Sequence, residues 1–175
     1  MRWRTVLVAL LVLPLVSSCT SQPSSGSGKP GYCTAEDQNS VTVIIDYGDL
    51  GPDPSIECAY NLKEDATGLD ALMALGILIT EPTRSPHFIC RINGYPTIDQ
   101  VIPLEGKDSY REMCVNTPPA SAYWTYWTAA DGGDWSYSIR GYSTNPVVFG
   151  GSQGYSFAHN QPPADSPPRA EPKHS

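Results

Sequence analysis

Two kinds of hydrophobic spacing follow one another along this chain. Residues 40–48, SVTVIIDYG, and 55–62, SIECAYNL, are dense in β-branched and aromatic residues and read as two strands joined by the turn-rich GDLGPDP. The spacing then lengthens. In ATGLDALMALGI, residues 66–77, Leu69, Leu72, Met73 and Gly76/Ile77 fall at i, i+3, i+4 and i+7/i+8, the pattern of a helix with one apolar stripe. Thr67, with Asp70 three residues on, predicts a capped start, the hydroxyl accepting an otherwise orphaned N–H of the first turn. HFICRINGYP, residues 87–96, returns to strand character and runs into Asn93-Gly94, a pair that tolerates positive φ in a tight hairpin. AYWTYWTA (122–129) and DWSYSIRG (134–141) flank Ala-Asp-Gly-Gly and read as a further hairpin, with GYSFA (154–158) as a short closing strand. The order β-β-α-β, then β-β-β, predicts an α+β domain in which one short helix covers a mixed sheet.

The flanks read differently. Met1-Arg2-Trp3-Arg4 is a basic head, followed by the apolar TVLVALLVLPLV and then Ser17-Ser18-Cys19. Twelve apolar residues are too few to span a ~30 Å hydrocarbon core, so residues 1–18 read as an export signal. The ending VSSC is similar to a bacterial lipobox, in which the cysteine becomes the first mature residue and carries a diacylglyceryl group. Cys19 is therefore the expected lipidation site, and the expected location is the outer face of the cytoplasmic membrane, with the bilayer as a partner through the acyl chains. Residues 19–31, with TSQPSSGSGKPG after the cysteine, read as a flexible tether, and residues 159–175, rich in proline and without an apolar pattern, as a disordered tail. Residues 32–158 remain as one domain. The formal charge of −7 becomes −9 once Arg2 and Arg4 leave with the signal. Such an acidic balance argues against nucleic acid as a partner.

Setting Cys19 aside leaves Cys33, Cys58, Cys90 and Cys114, two disulfides' worth in an oxidising compartment. Three pairings are open; the sequential one, Cys33 with Cys58 and Cys90 with Cys114, is expected. A zinc site is disfavoured, because no C-x₂-C is present and the chain has only three histidines.

The densest chemistry is aromatic. Tyr123, Trp124, Tyr126, Trp127, Trp135 and Tyr137 crowd into residues 123–137 of a chain with ten tyrosines, four tryptophans and three phenylalanines. Strand alternation puts Trp124, Tyr126 and Thr128 on one face and Tyr123, Thr125 and Trp127 on the other. With a helix on one face only, one set packs beneath it and the other is open to solvent. The open set either pairs across the hairpin with Trp135 and Tyr137, or forms a ligand or partner surface. Arg91 and Arg140, on strands beside this cluster, are candidate anion clamps or indole-stacking cations. His87 reads as a surface residue, His159 as the edge of the domain and His174 as tail.

The succession TGLDALMALG, FICRINGYP, YWTYW, DWSYSIRG and GGSQGYSF resembles the transcobalamin C-terminal-like domains of exported bacterial proteins, over residues 41–158. The resemblance implies a β-grasp-like fold and, through vertebrate transcobalamin, a corrinoid-like organic ligand. The larger helical domain of that protein has no counterpart here. No H-E-x-x-H, G-x-S-x-G, phosphate loop or EF-hand loop occurs, and no cysteine remains for nucleophilic work. The acidic run Asp46, Asp49, Asp53 and Glu57 lacks a calcium-loop register and reads as a solvated face, and Asp131 and Asp134 as turn residues. The function expected is a non-enzymatic lipoprotein module with no cofactor, binding a corrinoid-like ligand or an envelope protein through its aromatic hairpin. A purely structural or protein-interaction lipoprotein is the alternative.

Overall fold

The computed structural model describes residues 26–173. Its main sheet holds six strands: β1 (Ser27–Pro30), β2 (Val41–Asp46), β3 (Ser55–Tyr60), β6 (Ala122–Ala129), β7 (Ser136–Tyr137) and β8 (Ser152–His159). A helix, α1 (Gly68–Ala74), and a small second sheet of β4 (Ile79–Thr80) and β5 (Arg91–Ile92) intervene. The strand order is β1-β3-β2-β8-β6-β7. β2 and β8 run parallel at the centre, and every other neighbouring pair is antiparallel. This is the expected α+β, β-grasp-like mixed sheet with one covering helix. Among the described residues no helix is long and apolar enough to cross a membrane.

All six residues of β2 are buried, which explains why VTVIID is an almost continuous apolar run rather than an alternating one. Val41, Val43 and Ile45 face α1 and join Leu72, Trp124, Tyr155 and Phe157 in the main core. Thr42, Ile44 and Asp46 point to the opposite, outer face and are still at most 1 % exposed. Something must cover that face.

The cover is the C-terminal segment. The sequence predicts disorder over residues 159–175, yet residues 162–173 cross the outer face as a strap that begins with a short 3₁₀ turn, Pro163–Asp165. Pro168 and Pro172 are buried, and Arg169 reaches Asp46. Low apolar content misleads here because the strap is held by its main chain, for which composition carries no signal. The solvated reading of Asp46 fails for the same reason; Asp49 and Asp53 are exposed as expected.

The start of the domain also differs. Residues 27–30, inside the predicted tether, form β1 on the open edge of β3, pairing Ser27 with Tyr60 and Pro30 with Glu57. Gly28 permits this approach, since a Cβ there would lie 2.6 Å from Leu75 Cδ2. Cys19, the export signal, the first part of the tether and His174 lie outside the described residues.

In α1 the predicted capping box is present: Asp70 N donates to Thr67 Oγ1 at 3.4 Å, and Thr67 N to Asp70 Oδ2 at 2.8 Å. Gly76, at φ 69°, ends the helix. Gly76 N bonds Met73 O and Ile77 N bonds Leu72 O, both at 3.0 Å, closing a Schellman motif whose flanking Leu72 and Ile77 both belong to the core. Its buried stripe is Gly68, Ala71 and Leu72, so Met73, expected inside, is 63 % exposed. The helix is too short for the longer spacing to decide its facing. The Asn93-Gly94 turn forms as expected, with φ of 50° and 78° and reciprocal bonds between Ile92 and Tyr95. The strands around it and in 134–141 shrink to two residues each, because both lie at sheet edges with few partners. The disulfides pair sequentially, Cys33 with Cys58 and Cys90 with Cys114.

Candidate functional site

β6 carries the aromatic cluster, and its alternation distributes the rings as the strand period requires. Trp124 and Tyr126 lie on the helix side, 5 % and 8 % exposed. Trp124 packs edge-on against Tyr47, Tyr95 and Phe157, and its indole N–H donates to Tyr95 O at 3.3 Å. Tyr126 donates to Gln153 Oε1 at 2.9 Å, and burial pushes its phenol up to about 12. The other set is not open to solvent as a whole. Trp127 is 4 % exposed on the outer face, donates to Thr125 Oγ1 at 2.8 Å, and meets Tyr137 edge-on at 5.3 Å. Trp135 lies half-buried against the strap and donates to Ala170 O at 3.0 Å. The cluster is therefore core on both faces, and the strap is the reason.

Exposure survives at one place, along the outer edge of β6. Ser138 N bonds Tyr126 O at 2.9 Å, so the even-numbered residues of β6 turn their backbone polar groups away from β8. β7 pairs only with Trp127 and Thr128, and on this edge no strand among the described residues stands opposite Trp124, whose partner Phe157 lies on the β8 side. A cleft of about 340 Å³ opens there. One wall is His87, Phe88 and Ile89, from the segment before β5; the other is Tyr137, which ends β7, with Ile139 and Arg140 beyond it. Tyr123 and Trp124 form the floor. Tyr123 and Tyr137 share a hydroxyl contact of 3.0 Å, and burial, then the Tyr137 hydroxyl, hold the Tyr123 phenol well above its usual value. Phe88 is 46 % and Ile139 95 % exposed.

Of the residues singled out from the sequence, Tyr123, Trp124, Tyr126, Tyr137 and Arg140 line this cleft, while Trp127 and Trp135 do not. Arg91 also lies elsewhere. Its guanidinium donates to Pro96 O (2.7 Å), to Cys114 Sγ (3.0 Å) and to Glu112 O, tying the loop before β6 to β5. That is a structural clamp, with each of its three nitrogens already engaged within the protein. Arg140 is exposed, and no hydrogen bond or ion pair engages its guanidinium among the described residues. Sequence reasoning missed His87, Phe88, Ile89 and Ile139. Phe88 and Ile89 were legible only as strand residues, and nothing in the local pattern shows that they face β7 across a gap.

The lining combines aromatic and aliphatic surface, hydroxyls, one imidazole and one guanidinium, with no carboxylate. Such a surface suits a ligand with an apolar face and a negatively charged or carbonyl-rich end. A larger hollow of about 530 Å³ is walled by the single loop 104–119 and has no such convergence of rings. His159, the last residue of β8 and paired with Ala122, does not line the cleft and is held by Asp49 Oδ1 (3.0 Å) and Pro103 O (2.6 Å). Neither cysteine pair belongs to a metal site, although Asp37 and Glu112 lie beside them, because all four sulfurs are in disulfides. Comparison of the chain with family models, with curated proteins and with solved structures finds no match in any of the three.

Proposed function

We propose that this chain is a non-enzymatic binding module of the cell envelope, held on the outer face of the cytoplasmic membrane by a lipid on Cys19. Its site is the cleft beside β6. The observation that carries this reading is the meeting there of Tyr123, Tyr137, Phe88 and the exposed Ile139 with the unpaired Arg140. Large rigid rings and one arginine give much contact area at low entropic cost, the composition of binding hot spots.

Position supports the same reading. β1, where the tether enters, is one edge of the six-stranded sheet, and β7 is the other. Five strand spacings of about 4.8 Å separate them along the sheet, so the cleft opens at the edge away from the tether. The likeness to transcobalamin C-terminal-like domains, which rests on the motifs quoted above, makes a corrinoid-like molecule the first candidate. A cleft of about 340 Å³ would cover one side of such a ligand and not enclose it.

The test is titration of cobalamin and cobinamide into the purified protein, followed by calorimetry. Saturable binding weakened about tenfold by Arg140→Ala or Tyr137→Ala, roughly 1.4 kcal/mol, with the fold retained by circular dichroism, supports the reading. Absence of saturable heat from either corrinoid sinks the corrinoid assignment. The bare β6 edge at Trp124 favours a second reading, an envelope protein that adds an extended strand there. A photo-crosslinker at Ile139 then labels one envelope protein reproducibly, and Tyr137→Ala abolishes the labelling.

A further inference from the structure

The outer face of the sheet holds a second built surface, occupied in this structure by residues 166–173 of the same chain, SPPRAEPK. Most of its contacts reach the main chain of that segment. Trp135 Nε1 donates to Ala170 O at 3.0 Å and Tyr32 Oη to Glu171 O at 3.0 Å, while the Thr125 hydroxyl, which donates to Ser156 O at 2.9 Å, also lies 3.5 Å from Ser166 O. Lys173 N donates to Ser152 Oγ at 2.8 Å, and Gly132 N to Lys173 O at 3.3 Å. Indole N–H and phenol O–H groups aimed at the carbonyls of an extended prolyl segment are how aromatic grooves read such peptides.

Three side chains of the segment add specificity: Pro168, Arg169 and Lys173, whose Nζ reaches Asp131 Oδ1 at 3.4 Å and Gly150 O at 3.3 Å. Pro168 lies over Gly154, where a Cβ would come within 2.4 Å of its Cγ and 3.0 Å of the Trp135 ring. Asp46, 1 % exposed, receives Arg169 N at 2.6 Å and the Arg169 guanidinium at 2.7 Å. A buried carboxylate with a cation as its partner is a strong selector, since any segment without the arginine leaves the charge uncompensated. The connection from β8 to the strap, residues 160–165, is mostly exposed.

We infer that this face is a receptor for an extended, proline-flanked arginine segment, and that a second copy of the chain supplies that segment in trans. The contacts are the same in cis and in trans, so exchange between copies loses none of them, the condition that makes swapping a low-cost route to dimers. The cis form is favoured by its high effective concentration, and trans docking prevails where copies are crowded or the cis contact is weakened.

Two full-length variants test this as a complementary pair. Asp46→Asn impairs the groove and keeps the strap; Arg169→Ala keeps the groove and impairs the strap. Each alone is expected to be monomeric by native mass spectrometry and light scattering, and an equimolar mixture at high micromolar concentration to give a heterodimer. A peptide of sequence SPPRAEPK, blocked at both ends, is expected to bind the Arg169→Ala chain saturably by tryptophan fluorescence. On Asp46→Asn it should bind about tenfold more weakly, the loss of one charge-assisted partner. Should Arg169→Ala not fold by circular dichroism, Pro168→Ala replaces it in both arms. Monomers in every mixture overturn the second copy as occupant, and a peptide that binds neither chain overturns the receptor itself.

Discussion

Arg169 and Asp46 lie 123 residues apart, yet the guanidinium Nη2 donates to Asp46 Oδ1 at 2.7 Å while Arg169 N takes Oδ2. The arginine side chain is 50 % exposed and the aspartate 1 %. That asymmetry sets the first prediction. Arg169→Ala leaves a buried carboxylate with two backbone amides, Gly48 N and that of residue 169, but no cation, and should cost about 3 kcal/mol, the low end for a broken buried pair, because water can follow the departing side chain. Asp46→Asn leaves a cation that solvent already hydrates and should cost clearly less. Urea unfolding of both variants checks the order; equal losses would contradict it.

Gly154 should be intolerant of any side chain. Gly154→Ala drives a methyl group into Pro168 and Trp135, so the strap lifts while the sheet, whose β8 backbone pairing is unaffected, stays folded. Hydrogen exchange should accelerate at Arg169 and Lys173, whose amides are bonded to Asp46 and Ser152. Unchanged protection there would mean that the strap accommodates the methyl.

Trp124 and Tyr137 should separate stability from binding. Trp124→Ala empties a site ringed by Tyr47, Tyr95 and Phe157 and should cost about 3–5 kcal/mol, enough to unfold much of the population of a domain this size. Tyr137→Ala removes a half-buried ring at the sheet edge and should cost under about 1.5 kcal/mol. Thermal melts of the two decide it.

These contrasts show what was legible in the residues themselves. The Thr67–Asp70 cap, the Asn93-Gly94 turn, the long strands and the cysteine pairing all depend on short-range patterns, and all are present. The facing of Trp127 and Trp135 was not legible, because what covers them arrives from residues 166–173 by main-chain bonding. Arg91 misled for a similar reason: its three acceptors, at Pro96, Glu112 and Cys114, come from a loop with no periodic signal. Of the cleft, the β6 floor and Tyr137 and Arg140 on the far wall were readable as a cluster. The Phe88–Ile89 wall depends on how the chain returns from the small second sheet.

Alkaline pH should unfold the domain. Burial raises the phenols of Tyr126, to about 12, and of Tyr155, well above the ordinary value of 10.0. A folded-state pKa above the unfolded one means stability that is complete below pH 10 and is lost as pH rises from there towards 12. The shift at Tyr126 alone corresponds to about 2–3 kcal/mol. Absorbance at the phenolate band should show these rings ionising together with loss of circular dichroism. Tyr126→Phe should lessen the slope above pH 10, and an unaltered slope would contradict the assignment.

Each disulfide should matter comparably. Cys33–Cys58 and Cys90–Cys114 span 25 and 24 residues, so the chain-entropy estimate is about 3.5 kcal/mol for either. The double variants Cys33→Ala/Cys58→Ala and Cys90→Ala/Cys114→Ala should fall by similar amounts in urea. A loss confined to one pair would show that the other pair's loop is already ordered in the unfolded chain.

The parallel contact between β2 and β8 also fixes a timetable. β2 and β3 can pair as soon as both have been synthesised, but the other flank of β2 waits for residues 152–159, more than a hundred positions later. Until then Thr42, Ile44 and Asp46 lack both their lateral neighbour and their roof. So non-local a closure belongs to the slow, millisecond-to-second class of folding reactions. For that interval the emerging chain presents a bare, sticky strand, and anything that delays its last twenty residues lengthens the exposure.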